Sequence, residues 1–477
     1  MTATRTLPVA RQALEEGACC GACAAQATRE QMATDDRAAA ARAASKRSKP
    51  LPTLTQPISR DADRRITMAG VLLAAVLLGL AAASIALPPA DRHGLWLPLH
   101  LALAGAAGTA VSAVLPFFAA AIAQARPSAP AIRIGGIGLI AAGALVVSGG
   151  VVGEMSTVAA AAGLAYLVGL GIVAIAAFVP LRRALAPRVR IIASAYGLAL
   201  AQVAIGAALA TALLAGFEPV TVRWALLKPA HAWLNVFGFL SVVVATSLIH
   251  LAPTVAGARI RPRASAMVAV VALLAGPPLV ALGFALGSDV IARLGALSEL
   301  IGATALVAHA VVVRRDRGQW TTDPAWHRMS GWSLTAAPAW FAAAVAIASG
   351  RLLWLGAVPS AWAIELIAMP LAVGWLVQVL IGSWTHLVPS IGPGDQVTHA
   401  RQRVLLGRWS TARFALLNAG VSLTTAGVLG GVVPLILVGS MACVVAVVAA
   451  LVLLAGAAMA APFRADQPMP AARSGGG

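Results

Sequence analysis

Twelve separate runs of about 18 or more mostly apolar residues constrain this chain more than any other feature. An α-helix of about 20 such residues crosses the roughly 30 Å hydrocarbon core of a bilayer. The runs cover approximately residues 66–87, 95–123, 132–152, 156–180, 190–216, 224–252, 264–286, 289–313, 332–356, 360–388, 411–431 and 433–461. The least marked boundary is the last, where only Gly430 and Gly431 separate one run from the next. Charged residues make up 11% of the 477 and hydrophobic ones 60%, whereas a soluble domain carries about 25% charge. The expected fold is therefore an all-α polytopic membrane protein with about twelve transmembrane helices over residues 66–461. Residues 1–65 are polar, lack a sustained apolar period and read as a disordered cytoplasmic tail with no secretory signal before the first span. Residues 462–477 read as a second cytoplasmic tail.

The distribution of positive charge sets the expected orientation. If the first tail and alternate loops lie on one side, all but five of the 35 Lys and Arg residues fall there; Arg92, Arg223, Lys228, Arg293 and Arg351 are on the other. Such asymmetry places both termini in the cytoplasm of a bacterial plasma membrane. Trp96, Trp224, Trp354 and Trp362 then mark the outer interface, and Trp320, Trp326 and Trp409 the inner one. The net charge of +18 sits in short loops, with no basic patch interleaved with aromatics, so the expected partner is the lipid bilayer and not nucleic acid. Cys443 lies in an apolar run as core packing. Cys19, Cys20 and Cys23 sit in the polar tail, where reduced thiols could take up copper or zinc.

The runs also repeat. Pro116, Pro253 and Pro389 stand near the ends of the second, sixth and tenth runs, at intervals of 137 and 136 residues, with His250 and His386 each three residues before theirs. Three four-helix arcs around a pseudo-threefold axis along the membrane normal account for the interval.

Ionisable groups at membrane depth are functional candidates by default. The stretch Arg223–Gly257 carries Lys228 and His231 near one end and His250 at the other; the 19 residues between the histidines span roughly 28 Å, so the two cannot share a metal. Toward the outer side lie His100, Lys228, His231, Asn235, Glu299, Arg351, Glu365 and Met369. Toward the inner side lie His250, His309 and His386, a secondary candidate set for metal that also suits helix C-termini electrostatically. His100 and His231 form the sharpest pair, because neutral imidazoles on facing helices bind haem iron, copper or zinc. Asn235 stands one turn below His231. Arg223 and Lys228 suit haem propionates or simply snorkel to the interface. Glu299 and Glu365 read as ion-pair partners of Lys228 and Arg351, or as proton-relay groups. His93, His327 and His399 read as solvated loop residues.

The segments LWLPLHLALAGAAGTAV at 95–111, PAHAWLNVFGFLSVVVATSLIHLAPT at 229–254 and VQVLIGSWTHLVPSIGPG at 377–394 give the chain a resemblance over residues 66–461. It resembles the haem–copper oxidase superfamily in its broad sense, and more closely the NnrS-type and actinobacterial multicopper-oxidase-associated membrane domains. The resemblance implies twelve helices in three arcs, with His100 at the low-spin haem ligand position and His231 at the outer copper-ligand position. It departs in two places. GPPLVALG at 276–283 has no histidine pair, and the tenth run has Glu365 and Met369 at outer depth with His386 at the far end. A binuclear oxygen-reducing centre is therefore not expected. The expected cofactor is one haem b or one copper ion near the outer face, held by His100 and His231 with Glu365 and Met369 as further metal candidates. Electron transfer, or nitrogen-oxide or copper handling, would follow. Two alternatives are a secondary transporter using Glu299, Glu365, Pro277 and Pro278, and a non-catalytic membrane subunit. A periplasmic cupredoxin or cytochrome, and a second copy of the chain, are the protein partners this reading allows.

Overall fold

The computed structural model describes residues 32–36, 61–182, 187–261, 263–319, 323–392 and 394–460. Residues 32–36 form one helical turn in a separate N-terminal unit. The tail cysteines Cys19, Cys20 and Cys23, the expected anchor Trp320 and the C-terminal tail 462–477 lie outside the described residues.

Among the described residues there is no strand, and 12 helices are long and apolar enough to cross a membrane. They are α1 (Asp61–Ser84), α2 (Trp96–Ala123), α3 (Pro130–Val152), α4 (Ser156–Leu181), α5 (Pro187–Leu214), α6 (Trp224–Ala256), α7 (Ala264–Leu286), α8 (Asp289–Arg315), α9 (Pro324–Leu355), α10 (364–391), α12 (Ser410–Gly430) and α13 (Val433–Met459). The expected all-α polytopic architecture is what the chain has. An even number of crossings returns the chain to the face it started from, so Asp61 and Met459 share a face with the loops after α2, α4, α6, α8 and α10. That face, which carries most of the arginines, is called the basic face below.

Local chemistry places the helix ends. Pro130 and Pro324 open α3 and α9, where the missing N–H costs nothing. At Gly431 the chain turns left-handed (φ +66°), and the Val432 N–H donates to the Gly427 carbonyl at 2.8 Å. This closure ends α12 within the two-glycine gap and lets α13 start at Val433.

One element was not expected. α11 (Gln396–Gly407) occupies part of what reads as a loop after the tenth run. Asp395 caps it by accepting from the Thr398 N–H at 2.8 Å. It packs against α9, α10 and α13 on the basic face, where Gln402 donates to the Ala457 carbonyl at 2.9 Å.

The four-helix repeat shows in both backbone and packing. α3 pairs with α4, α7 with α8, and α12 with α13; successive units join through α4 with α5 and α8 with α9. Among the described residues, the second helix of each unit, and no other span, widens into a π-helical stretch: Leu101–Ala107, Leu234–Ser241 and Met369–Val377. Such widened turns leave backbone carbonyls off the regular ladder and occur often at functional sites. In α2 the Tyr166 hydroxyl donates to one of them, Ala104 O, at 3.3 Å. α6 sits at the heart of the bundle, with 72% of its most apolar window buried against 22–50% for the other eleven spans.

Candidate functional site

His100 and His231 come together where α2 meets α6. Their ring centres are 6.4 Å apart and their planes differ by 13°. Stacked rings in contact sit closer, as Trp96 and His100 do at 4.1 Å. Each histidine lies within three residues of the start of a π-helical stretch. Both residues are half-buried, deep among the helices.

The ring nitrogens are oriented by backbone. His100 Nδ1 is 2.8 Å from Trp96 O, and His231 Nδ1 is 2.8 Å from Gly206 O on α5. A carbonyl can only accept, so each Nδ1 carries the proton and each Nε2 presents a lone pair. This is the orienting arrangement that metal-binding histidines use. Asn235 Nδ2 donates to His231 O at 2.8 Å and lies 3.2 Å from Nδ1 and 3.4 Å from Nε2 of that ring. The shortest of these contacts fixes the amide, which therefore steadies the turn carrying His231. Gly206 makes this packing possible: a Cβ there would stand 2.6 Å from Asn235 Oδ1. Trp224, with its ring centre 5.9 Å from that of His231, closes one edge.

The separation can be tested against coordination geometry. With metal–nitrogen bonds of about 2.0–2.1 Å, and each nitrogen about 1.1 Å from its ring centre, two imidazoles sharing one ion end to end have centres about 6.3 Å apart. The observed 6.4 Å between ring centres matches that separation, and the chemistry of two neutral imidazoles suits a haem iron or a single metal ion.

The other candidates are placed as follows. Lys228 is exposed near the pair, within electrostatic reach of His100. Arg223, also exposed, donates to the Ala285 carbonyl at the end of α7. The expected ion pairs with Glu299 and Glu365 do not form. Glu299, with 0% exposure, accepts from the Trp233 indole at 2.5 Å, and its second oxygen is buried without a partner. Arg351 donates to Ser360 O at 2.7 Å. Glu365 is exposed on the first turn of α10. Met369 packs into the apolar cluster around Met329, Leu417 and Cys443, so it is turned to α9, α12 and α13 and not to the histidine pair. The reason is rotational: depth along a helix does not fix which way a side chain points.

The basic-side histidines do not assemble. Among the described residues no group of three His, Cys, Asp or Glu side chains is arranged to hold a metal. His309 lies 3.4 Å from Ser265 Oγ, while His386 stacks on Trp326 with ring centres 5.2 Å apart. His250 belongs to neither contact. Trp326, His327 and His399 also stand elsewhere than the sequence suggests. Trp326 is buried and donates to Thr385 O at 2.5 Å, so it packs inside the bundle and does not anchor an interface. His327 is on α9, half-buried beside it, and not in a loop. His399 likewise sits on a helix, α11.

Sequence reasoning missed two groups. Gly206 carried no signal, since its role depends on α5 meeting α6. The other is an ion pair between Asp63 on α1 and Arg133 on α3, both buried at 4% and 2% exposure. Arg133 also donates to Thr67 Oγ1 at 2.8 Å and to the α2 carbonyl Ala113 O at 3.2 Å, so one guanidinium ties three helices. No protein-family model matches the chain, and no curated protein does.

Proposed function

We propose that this multi-pass membrane protein holds one haem, of the b type, between His100 and His231 and serves in electron transfer or nitrogen-oxide handling. The observation that carries this reading is the pair itself, with near-parallel rings 6.4 Å apart and both Nδ1 atoms tied to carbonyls. Haem iron is favoured over bare copper because the porphyrin supplies four bonds and two imidazoles complete the set, whereas a bare divalent ion seeks more protein or water ligands. When bound, such a group would supply a one-electron couple. The chain's own role is to hold both imidazoles neutral and fixed, and to offer Arg223 and Lys228 to acidic groups at the cofactor's edge. The basic face would be cytoplasmic, in a bacterial plasma membrane. The histidine pair would then face the periplasmic half, within reach of a soluble cytochrome or cupredoxin partner.

A titration tests the reading. Protein purified in neutral detergent and freed of cofactor is expected to take up ferric haem with a sharp endpoint at one equivalent per chain. Non-saturating uptake, or a sharp endpoint with cuprous ion alone, would overturn it. Gly206→Ala probes the orienting contacts. The added methyl crowds Asn235 and displaces the carbonyl that positions His231. Haem affinity is expected to fall about 10–100-fold, with a loss of about 1–3 kcal/mol in thermal stability. Unchanged affinity would show that the Gly206 carbonyl plays no role.

A second reading rests on Glu299. A buried carboxyl with one unpartnered oxygen, packed on Gly276 beside Pro277, suits a proton or cation path. Ion flux in proteoliposomes that is lost in Glu299→Gln would favour transport.

A further inference from the structure

The end of α8 and the start of α9 border a cleft of about 650 Å³ on the basic face. Arg314, Arg315, Arg317, Arg328 and Trp332 line it, and among the described residues no carboxylate does. Two acidic residues stand next to it in sequence, and each is engaged by arginines from outside the cleft. Asp316 accepts from Arg261 and Arg263, both at 2.8 Å, and Asp323 accepts from Arg403 at 2.7 Å. The Arg263 guanidinium holds the Asp316 carboxyl below the usual carboxylate range, so that carboxylate stays ionised and paired as pH falls. The lining therefore keeps its positive charge.

The cleft has an anchored wall. Arg328 donates to Thr411 Oγ1 on α12 at 3.0 Å and lies over the Trp332 ring, 5.5 Å from its centre. A guanidinium held by Thr411 and seated over an indole keeps further N–H groups for phosphate oxygens. Beside it, where α6, α8 and α9 pack together, a small apolar recess of about 20 Å³ shares Arg314 and Arg317 and is lined by the buried Ala252, Val255, Ala256, Val313 and Leu334, so the cleft stands directly against the membrane-spanning layer.

We propose that this cleft binds an anionic phospholipid from the adjoining leaflet, its headgroup phosphate among Arg314, Arg315 and Arg328 and its acyl chains in the bilayer beside α8 and α9. A basic surface alone would accept any anion. The cleft's place at the membrane face, where α8 ends and α9 begins, selects a ligand with a charged end at headgroup level and a hydrocarbon end in the bilayer. Interhelical basic pockets at one membrane face are recognised settings for such headgroups. The arginines there would thus serve as a lipid site as well as an orientation signal.

The test uses the full-length chain, purified in neutral detergent and delipidated, with bound lipid counted by native mass spectrometry. Phosphatidylglycerol is expected to be retained at one molecule per chain, about tenfold more tightly than phosphatidylcholine of the same acyl composition. The triple variant Arg314→Gln, Arg315→Gln, Arg328→Gln is expected to lower phosphatidylglycerol affinity at least tenfold. An equal-charge control, Arg126→Gln, Arg190→Gln, Arg401→Gln, removes exposed arginines elsewhere on the same face and is expected to leave that affinity unchanged. Millimolar inorganic phosphate is expected not to displace the lipid. Equal loss in the control, equal retention of phosphatidylcholine, or displacement by phosphate would each overturn the proposal. Should the triple variant fail to fold, Arg315→Gln carries the test at an exposed position, with an expected weakening of about threefold; no change would overturn it.

Discussion

Protein carrying His231→Ala or His100→Ala is expected to purify without bound haem, while His250→Ala, His309→Ala and His386→Ala keep it. Each of the first two substitutions deletes one member of the histidine pair whose ring centres lie 6.4 Å apart. Replacing a group that merely orients a metal ligand costs about 10–100-fold in affinity, so deleting the ligand itself should cost more than about 100-fold. Loss of the cofactor also removes the stability its binding adds, about 2.7 kcal/mol if it is present at about 100 times its Kd. The basic-side histidines provide the contrast because His309 neighbours Ser265 and His386 neighbours Trp326, on other helices from the pair. Absorbance at the Soret maximum, normalised to protein, reads the outcome. Retention of full absorbance by both alanine variants would mean that haem, if bound, sits elsewhere.

Arg133→Ala is expected to have the largest effect on folding. It leaves Asp63 buried at 4% exposure without its cation, and removes the hydrogen bonds that Arg133 donates to Thr67 and to the Ala113 carbonyl. Breaking a buried ion pair by removing one partner costs about 3–5 kcal/mol. The helix it holds is poorly placed to absorb that loss, since only 28% of the most apolar window of α1 is buried. The double variant Asp63→Leu, Arg133→Leu should recover much of the stability, because no unpaired charge is left in the apolar interior. Thermal unfolding in detergent measures both. An Arg133→Ala protein as stable as the parent would show that the pair does not hold α1 to the bundle.

Much of this architecture was legible in the residues. The runs of apolar side chains gave the spans because a bilayer leaves few other solutions, and even the two-residue gap at Gly430–Gly431 was a true turn. The repeat could be suspected from three prolines. The π-helical stretches could not, since a widened turn leaves no residue pattern of its own. α11 carried a readable signal in Asp395, three residues before Thr398, but its mixed polarity resembled a loop.

For the candidate site, depth was readable and azimuth was not. Counting residues along α2 and α6 placed His100 and His231 at the same level, and the helices then turned them toward each other. The same counting placed Glu299 near Lys228, yet rotation of α8 turned the carboxyl to Trp233. Glu365 and Met369 shared that depth and point elsewhere. Small residues such as Gly206 are silent in a sequence because their function lies in what they leave room for.

The central claim is that two neutral imidazoles from α2 and α6 share one iron. An absorption spectrum of the purified wild-type protein, taken oxidised and reduced and paired with iron and copper analysis of the same sample, tests it most directly. A Soret band that sharpens and shifts on reduction, with one iron per chain and no copper, is the expected result. A colourless protein that stays colourless after incubation with haem would contradict it.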